Sequence, residues 1–419
     1  MGVYHISGGN KLSGQLRVYG AKNAILPILA SVILNAGESV IHNCPNISDT
    51  CISIKILEDI GCKVAYDGET MVVDSSVADV CSVSAELMRE MRSSFIFLGG
   101  LLGRFHKVNI SYPGGCELGA RPIDLHLKAL KQMGTEIREE HGFIICEAKR
   151  LIGTHINLDL PSVGATENIM LTAALAEGET KLTNAAKEPE IEDLEAFLNG
   201  MGADVRGAGT DTIVIRGVKK LHSVEHTVMP DRIAAGTFLV AAAITGGKVL
   251  LTEARPEHLY PVTSRLIEAG CKIASEDSTV YLEAPTELRP IEFLRTRPHP
   301  GFPTDMQPQI MSLLSLAQGV SIISETVFES RSKHIAELRR MGADIIVAPD
   351  GTTFIIKGVR KLHGATVESK DLRGGAALIL AGLAAEGDTT VLGSKHVERG
   401  YDQIEKSLKD LGGNIRYEA

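Results

Sequence analysis

One cysteine lies in a glycine-rich segment, where a reactive side chain would be accessible. Residues 111–119 (SYPGGCELG) contain three glycines and one proline, a composition typical of a surface loop. Structural cysteines are usually buried, whereas reactive cysteines are exposed and have a cation nearby that favours the thiolate. Arg121 follows Cys116 by five residues. Cys116 is therefore a candidate nucleophile or proton donor, with an unreactive surface cysteine as the alternative.

A second group of candidates consists of cations that precede apolar, helix-like segments. A cation at a helix N-terminus faces the positive end of the helix dipole, so Asp or Glu is normally preferred there. Free backbone N–H groups together with Lys or Arg form sites for phosphates and carboxylates. The pattern therefore indicates a ligand with several negative charges, with solvated helix caps as the alternative. The cations are Lys22, Arg92, Arg232 and Arg373, and Arg121 precedes Pro122 at the start of a further helix.

An aspartate follows a rigid segment. Residues 297–303 (RPHPGFP) contain three prolines and a glycine, and Thr304 and Asp305 then begin a helix. Asp at a helix start is most often a cap. A rigid lead-in also suits a general base, which must stay within hydrogen-bond reach of its proton. Asp305 is thus a candidate base, and we interpret the acidic pair Glu188 and Glu190 as structural or interfacial.

Other classes of protein are disfavoured by composition and motifs. The 43 basic and 52 acidic residues give a formal net charge of −9, which argues against nucleic-acid binding. HExxH, paired CxxC, Walker A, GxSxG and GxGxxG patterns do not occur, so we predict no metal and no dinucleotide cofactor.

The cysteines and apolar stretches bear on location. Seven cysteines without CxxC spacing and a start that lacks the pattern of a signal peptide predict a reduced, cytoplasmic protein. Apolar stretches end before the roughly 18 residues of a membrane span, so we expect no membrane association. We expect Cys51, Cys62, Cys146 and Cys271 to lie in the core because their contexts are apolar.

The elements that must position these candidates form an internal repeat. The pattern Leu-x-x-x-Gly-x-x-(Val/Ile) occurs six times at intervals of about seventy residues. It predicts an amphipathic helix, a left-handed glycine that ends it, and a strand. The glycines are Gly61, Gly134, Gly202, Gly270, Gly342 and Gly412.

A second repeated element precedes each amphipathic helix and is apolar almost all round. A helix without a polar face belongs inside a domain. Alternating strands and helices then predict an α/β or α+β fold, and periodicity alone allows either one ring of six units or two domains of three. The clearest of these segments are 24–34, 169–176, 234–244, 310–317 and 376–385.

Four segments together resemble the UDP-N-acetylglucosamine 1-carboxyvinyltransferases, the enolpyruvyl transferases that begin peptidoglycan precursor synthesis. They are residues 20–24 (GAKNA), 113–126 (PGGCELGARPIDLH), 162–166 (SVGAT) and 302–307 (FPTDMQ). The resemblance implies an inside-out α/β barrel of two domains, each with three βαβαββ units. It places one domain, carrying the cysteine loop, at 21–229 and the other at 1–20 plus 230–419.

The resemblance also implies a reaction and roles for residues. The enolpyruvyl group of phosphoenolpyruvate moves to the 3′-hydroxyl of UDP-N-acetylglucosamine, and phosphate is released by addition and elimination. Cys116 matches the loop cysteine credited with protonating phosphoenolpyruvate and captured by fosfomycin. Asp305 matches the proposed base, and Lys22 and Arg399 complete the implied catalytic set. No cofactor is implied.

Further positions match substrate contacts of that family. Lys22, Arg121 and Arg399 match those that hold phosphoenolpyruvate, and Arg92 lines the same region. The uridine diphosphate and sugar contacts correspond to Arg121, Pro122, Ile123, Asp124, Leu125, Ser162, Val163, Gly164 and Val327, and other cleft positions to Asn23, Asp231, Arg331, Asp371 and Arg373. Leu160 departs from the pattern, because relatives often carry a lysine there, and this puts one diphosphate contact in doubt.

Three alternatives remain at this point. The shikimate-pathway enolpyruvyl transferases share the implied fold and donor but lack the Pro-Gly-Gly-Cys loop. A silent paralogue or UDP-sugar sensor would be expected to lose Cys116 or Asp305, and both are present. A general α/β binding protein is the remaining possibility.

Overall fold

The computed structural model describes residues 2–114 and 123–419, which form two compact units. The first, here called the inserted unit, comprises residues 20–114 and 123–229. The second, the split unit, comprises residues 2–19 and 230–419. The limits of the units lie next to the predicted domain limits at 20/21 and 229/230.

The glycines of the repeat end helices as the pattern predicts. All six adopt positive φ angles, between 92° and 101°. A side chain with a Cβ atom is strained in this left-handed region, so glycine is the favoured residue after the last helical turn. The six predicted helix ends are therefore confirmed.

Six sheets of four strands are present in the described ranges. In each sheet one edge strand pairs in parallel with its neighbour. The other two pairs of neighbouring strands are antiparallel. The α/β class with six repeats, three in each unit, is confirmed.

The inserted unit holds three of the sheets, each with its helices. The first repeat contains α1 (Lys22–Ser31), β3 (Glu38–His42), α2 (Ser48–Asp59), β4 (Lys63–Tyr66), β5 (Met71–Asp74) and the later strand β14 (Val224–Thr227). The second contains β6 (Ser82–Val83), α3 (Ala85–Glu90), α4 (Phe97–Phe105), β7 (Lys107–Ser111), α5 (Asp124–Gln132), β8 (Glu136–Glu140) and β9 (Phe143–Glu147). The third contains β10 (His155–Asn157), α6 (Val163–Ala173), β11 (Glu179–Thr183), α7 (Pro189–Gly200), β12 (Asp204–Arg206) and β13 (Thr212–Arg216).

The split unit holds the other three sheets. The fourth repeat contains β2 (Ser13–Arg17), α8 (Arg232–Ile244), β15 (Lys248–Thr252), α9 (Pro256–Glu268), β16 (Lys272–Glu276) and β17 (Thr279–Glu283). The fifth contains β18 (Phe293–Arg295), α10 (Gln307–Leu314), β19 (Val320–Ser324), α11 (Lys333–Arg340), β20 (Asp344–Val347) and β21 (Thr353–Lys357). The sixth contains β1 (Val3–Ser7), β22 (Thr366–Glu368), α12 (Leu372–Ala384), β23 (Asp388–Leu392), α13 (Ile404–Asp410) and β24 (Asn414–Glu418). Short 3-10 helices span Val32–Leu34, Arg92–Ile96, Thr304–Met306 and Ser394–His396.

Strands distant in sequence close both units. β14 pairs in parallel with β3, so the strand that follows the third repeat completes the first sheet. β1 lies between β23 and β24 and pairs antiparallel with both. In each unit, a strand from one end of the sequence thus pairs with a strand from the other end.

The apolar helices form the interior of each unit, as predicted. In the inserted unit α4 packs against α1 and α6, and in the split unit α8, α10 and α12 pack against one another. Glycine permits the close approach of α4 to its neighbours, because a Cβ atom at Gly100 would lie 2.3 Å from the carbonyl oxygen of Ala30. No helix of the described ranges is long and apolar enough to cross a membrane.

The cysteine environments match the prediction with one exception. Cys62, Cys146 and Cys271 are buried, but Cys51 is exposed. Cys51 lies on the outward face of α2, whose inward positions are occupied by neighbours such as Thr50 and Ser53. The prediction that Cys51 is a core residue is therefore wrong, because an apolar context does not determine which side of an amphipathic helix a residue occupies.

Candidate functional site

The N-terminus of α1 carries a buried cation. Lys22 is the first residue of α1 and is 7 % exposed, and its Nζ atom lies 2.9 Å from Oδ2 of the fully buried Asp49. A buried ammonium group requires such a partner. The preceding residue, Ala21, provides no side-chain cap, and Asn23 follows half-buried. The first N–H groups of α1 and the Lys22 ammonium together form a region suited to an anion.

Arg92 begins the 3-10 helix that leads into α4, and its positive charge affects the pKa of His126 in α5. Burial, together with the positive charge of Arg92, lowers the pKa of His126 to about 4, and the charge of Asp124 opposes this shift. Asn168 accepts from the Gly99 N–H through Oδ1 at 2.6 Å, which leaves its Nδ2 to donate to Nδ1 of His126 at 2.9 Å. His126 is therefore neutral near pH 7, with its proton on Nε2.

The structure brings two of the predicted nucleotide segments together. Ser162 caps α6 by accepting from the Ala165 N–H at 3.3 Å, and Val163 and Gly164 are half-buried. A Cβ atom at Gly164 would lie 3.1 Å from Cε1 of His126, so α6 begins directly against α5.

The other segment lies at the start of α5, directly before His126. Asp124 is exposed there, and Ile123 and Leu125 are half-buried. Leu160 is 59 % exposed. Cys116, Arg121 and Pro122 lie outside the described residues.

The split unit places Asp305 between two arginines. Oδ1 of Asp305 accepts from Nη1 of Arg331 at 2.8 Å, and Oδ2 accepts from Nε and Nη2 of Arg373 at 3.2 and 3.0 Å. Burial alone would raise the pKa of Asp305, but Arg373 and Arg331 outweigh it and hold the pKa well below its usual range. The Asp305 carboxylate is therefore ionised throughout the physiological pH range.

Arg373 is held on its other side by an aromatic ring. The guanidinium carbon lies 5.2 Å from the centre of the Tyr401 ring, and the Tyr401 hydroxyl is within 2.9 Å of Thr237 Oγ1 and accepts from Gln309 Nε2 at 3.1 Å. Burial opposes the charge of Arg373, but Tyr401, Asp305 and Asp231 together raise its pKa. Arg373 is a fixed cation.

Two further predicted residues cap the central helices of the split unit. Asp231 caps α8 by accepting from the N–H groups of Ile233 and Ala234 at 2.7 and 2.9 Å. Asp371 caps α12 by accepting from the Gly374 N–H at 2.8 Å. These two carboxylates thus stabilise their own helices, and Asp231 also helps to raise the pKa of Arg373.

The last two predicted residues lie at the ends of other elements. Val327 follows β19 and is 36 % exposed. Arg399 is half-buried and lies in the segment before α13, two residues from Tyr401. In residues 2–114 and 123–419, no three His, Cys, Asp or Glu side chains are placed to hold a metal ion. The absence of a cofactor remains a prediction.

Several structurally prominent polar residues were not among the sequence candidates. Asp49, the partner of Lys22, looks like an ordinary residue of a helix first turn. Asn168, which fixes the His126 ring, lies within an apolar helix, where a buried amide is itself a signal. Glu325 gives a similar signal, because it follows the apolar strand β19 and is 2 % exposed.

Comparisons with known proteins agree on one enzyme family. A family model described as EPSP synthase (3-phosphoshikimate 1-carboxyvinyltransferase) matches residues 6–408. The chain is 54 % identical over 415 residues to UDP-N-acetylglucosamine 1-carboxyvinyltransferase 2 of Caldanaerobacter subterraneus subsp. tengcongensis, with 99 % of each chain covered. It is 49 % identical over 411 residues to UDP-N-acetylglucosamine 1-carboxyvinyltransferase of Geobacter metallireducens, with 98 % of each covered.

Solved structures show the same architecture. The enolpyruvyl transferase NikO from Streptomyces tendae matches with a TM-score of 0.90 at 28 % identity, covering 99 % of this chain and 98 % of that one. EPSP synthase from Acinetobacter baumannii matches with a TM-score of 0.77 at 21 % identity over 100 % of both chains, a likeness of fold alone.

Proposed function

Because this chain belongs to the EPSP synthase family, and within it to the UDP-N-acetylglucosamine 1-carboxyvinyltransferases, we propose that it makes enolpyruvyl-UDP-N-acetylglucosamine for peptidoglycan synthesis. The enolpyruvyl group comes from phosphoenolpyruvate, the acceptor is the 3′-hydroxyl of UDP-N-acetylglucosamine, and phosphate leaves. The observation that carries the proposal is the similarity to enzymes of this name over nearly the full length of both chains.

The reaction requires one proton to be delivered and others to be removed. The acceptor oxygen bonds to C2 of phosphoenolpyruvate as C3 gains a proton and the hydroxyl loses its own. The tetrahedral adduct then loses phosphate from C2 and a proton from C3, which restores the double bond. Fixed cations stabilise the negative charge of donor and adduct, and such preorganised charge is usually the largest catalytic contribution.

The cations of the proposed site are held in two ways. Lys22 is fixed by Asp49 at the N-terminus of α1, where the helix dipole adds to its positive charge. We assign Lys22, Arg92, Arg121 and Arg399 to the phosphate and carboxylate of phosphoenolpyruvate. Arg331 and Arg373 instead both donate to Asp305, so we assign them the role of holding that carboxylate.

Asp305 has one position left for the acceptor hydroxyl. An ionised carboxylate offers about four lone-pair positions. Oδ2 accepts two hydrogen bonds from Arg373, and Oδ1 accepts one from Arg331, which leaves a position on Oδ1. A carboxylate with so low a pKa is a weak base. Asp305 therefore orients the hydroxyl and takes its proton only as the C–O bond forms and the oxygen becomes acidic.

The remaining substrate contacts follow the family pattern. We assign Ile123, Asp124, Leu125, Pro122, Ser162, Val163, Gly164 and Val327 to the nucleotide and sugar, and Asn23, Asp231, Asp371 and Arg373 to nearby positions. Ser162 and the Gly164 contact with His126 support the nucleotide assignment, because they align the start of α6 beside α5. A cytoplasmic location is part of the proposal, and the six cysteines of the described ranges are all free thiols.

Phosphate release tests the proposed function. The enzyme is incubated with phosphoenolpyruvate and UDP-N-acetylglucosamine, with shikimate 3-phosphate as a second acceptor and with no acceptor. We expect phosphate with the UDP-sugar alone. Release with shikimate 3-phosphate alone would transfer the proposal to the other branch of the family. No release with any acceptor from folded protein would indicate a silent paralogue.

Cys116 is proposed to protonate phosphoenolpyruvate and to be the target of fosfomycin. Cys116→Ser should lose most turnover and all fosfomycin labelling, whereas Cys116→Asp keeps a proton donor and should retain turnover without labelling. Mass spectrometry of the fosfomycin-treated proteins measures the adduct. Full labelling of either variant would show that another residue reacts.

A further inference from the structure

Glu325 makes an unusual set of hydrogen bonds immediately after β19. Its Oε1 atom accepts from Oγ1 of Thr296 at 2.8 Å and from the N–H groups of Val327 and Phe328 at 2.8 and 3.1 Å. Its Oε2 atom accepts from Oγ1 of Thr304 at 2.9 Å. One carboxylate therefore joins three separate stretches of backbone in the split unit.

Burying the Glu325 carboxylate costs free energy, because a charged group is removed from water. Glu325 is 2 % exposed, and the four donors described are neutral hydroxyl and amide groups. A buried charge loses its hydration and is tolerated only when hydrogen bonds replace it. The donors fill the carboxylate positions that water would occupy, and they fix the orientation of the side chain.

Two of the segments held by Glu325 carry residues of the proposed site. Thr304 directly precedes Asp305, and Val327 is itself a proposed sugar-nucleotide contact. Arg331, six residues after Glu325, donates to Oδ1 of Asp305 at 2.8 Å. Residues 325–331 thus contact residues 304–305 twice. Glu325 accepts from the Thr304 hydroxyl, and Arg331 donates to the Asp305 carboxylate.

We propose that Glu325 is a positioning residue, which fixes Asp305 and the Val327 backbone as one rigid frame for the acceptor hydroxyl. This inference rests on the proposed function. Glu325 acts through Thr304 and does not touch the reacting atoms. Because a displacement of about 1 Å can cost roughly a hundredfold in rate, the Thr304 contact should matter for turnover more than for stability.

A matched pair of threonine variants tests the proposal. Thr304→Val and Thr296→Val each remove one hydroxyl donor to the same carboxylate with little change of shape. Thr296 also accepts from the Thr326 N–H at 2.9 Å, so its loss should disturb the fold at least as much as that of Thr304. Only Thr304 adjoins Asp305.

The expected result is a separation of turnover from stability. Thr304→Val should lower kcat at least roughly tenfold with a nearly unchanged KM for phosphoenolpyruvate and a nearly unchanged melting temperature. Thr296→Val should keep kcat within about twofold while lowering the melting temperature as much or more. Thr304→Ser, which restores the hydroxyl, should recover most of the turnover.

Two results would overturn the inference. Normal turnover of Thr304→Val would show that the contact does not position Asp305. Equal losses of kcat in both valine variants, in step with their melting temperatures, would reduce Glu325 to a structural role. Wild-type enzyme in the same phosphate assay separates these from a failure of the proposed function, since wild type without turnover would refute that function and the premise of the inference together.

Discussion

The two units share one repeat but treat the N-termini of their central helices differently. In the inserted unit, the elements that begin at Lys22, Arg92 and Val163 have no acidic residue in their first turns, and the only side-chain cap among them is the neutral Ser162. In the split unit an aspartate lies at or just inside the start of each corresponding element: Asp231, Asp305 and Asp371. The three helix starts of the inserted unit thus lack an acidic residue of their own, whereas each of those in the split unit carries one.

The two units also differ in the protonation of one carboxyl group each: Glu167 in the inserted unit has a raised pKa, and Asp305 in the split unit has a lowered one. Burial, with the charges of Glu190 and Glu188, raises the pKa of Glu167 to about 8 in the inserted unit. In the split unit Arg373 and Arg331 lower the pKa of the half-buried Asp305. The same fold thus holds one carboxyl neutral and another ionised, and the neighbouring charges decide which.

The largest effect is expected from removing the charge of Asp305, which pairs with both Arg331 and Arg373 in the split unit. Asp305→Asn keeps one acceptor oxygen for the arginines but removes the negative charge and the proton acceptor. Turnover should fall by roughly a hundredfold or more, while UDP-N-acetylglucosamine still binds. Steady-state kinetics and calorimetric titration measure the two properties, with the exposed Asp344→Asn as the control. Near-normal turnover of Asp305→Asn would contradict its role.

A smaller effect concerns the neutral carboxyl of the inserted unit. Glu167 has an ordinary pKa of 4.5 and a folded-state pKa of about 8, so between these values the folded protein holds one proton more than the unfolded chain. Its contribution to stability is complete below pH 4.5 and is lost as the pH rises to 8, by up to about 1.4 kcal/mol per pH unit. Glu167→Gln should remove this slope.

Urea unfolding at pH 5.5, 6.5 and 7.5 measures the slope. Glu167→Gln should gain stability relative to wild type as the pH rises, whereas the exposed control Glu136→Gln should follow wild type. Parallel curves for wild type and Glu167→Gln would mean that Glu167 is ionised in the folded protein.

The smallest expected effect gives a helix of the inserted unit the cap used in the split unit. Ser162→Asp keeps a good N-cap but adds a negative charge at the N-terminus of α6, which has no acidic residue in its first turn. We expect the KM for UDP-N-acetylglucosamine to rise about fivefold at low salt and less at high salt. Ser162→Asn, a neutral cap, should behave like wild type. Equal KM values for both variants would show that this helix end does not contact the diphosphate.

The sequence predicts the repeat well because its cues are local. A glycine in the left-handed region and an apolar helix without a polar face are determined by neighbouring residues, and the structure places both where the pattern indicates. The wrong assignment of Cys51 shows the limit of the same reasoning. One apolar neighbourhood can belong to either face of a helix.

Contacts within the candidate site are less predictable, because they join distant segments. Asp305 can be singled out from its rigid lead-in, but its ion pairs with Arg331 and Arg373 depend on how the fifth and sixth repeats pack. Glu325 and Asp49 carry even less local information. Only their burial and partners, which the fold creates, distinguish them from ordinary acidic residues.

The central place of β1 in its sheet affects the order in which the chain can fold during synthesis. The inserted unit has all its strands once Thr227 is made, so it can fold on the ribosome while translation continues. Val3–Ser7 must wait for β23 and β24, whose residues are made on the order of tens of seconds later. The first strand to leave the ribosome is thus among the last to find its partners, and in that interval it is exposed to chaperones and to other nascent chains.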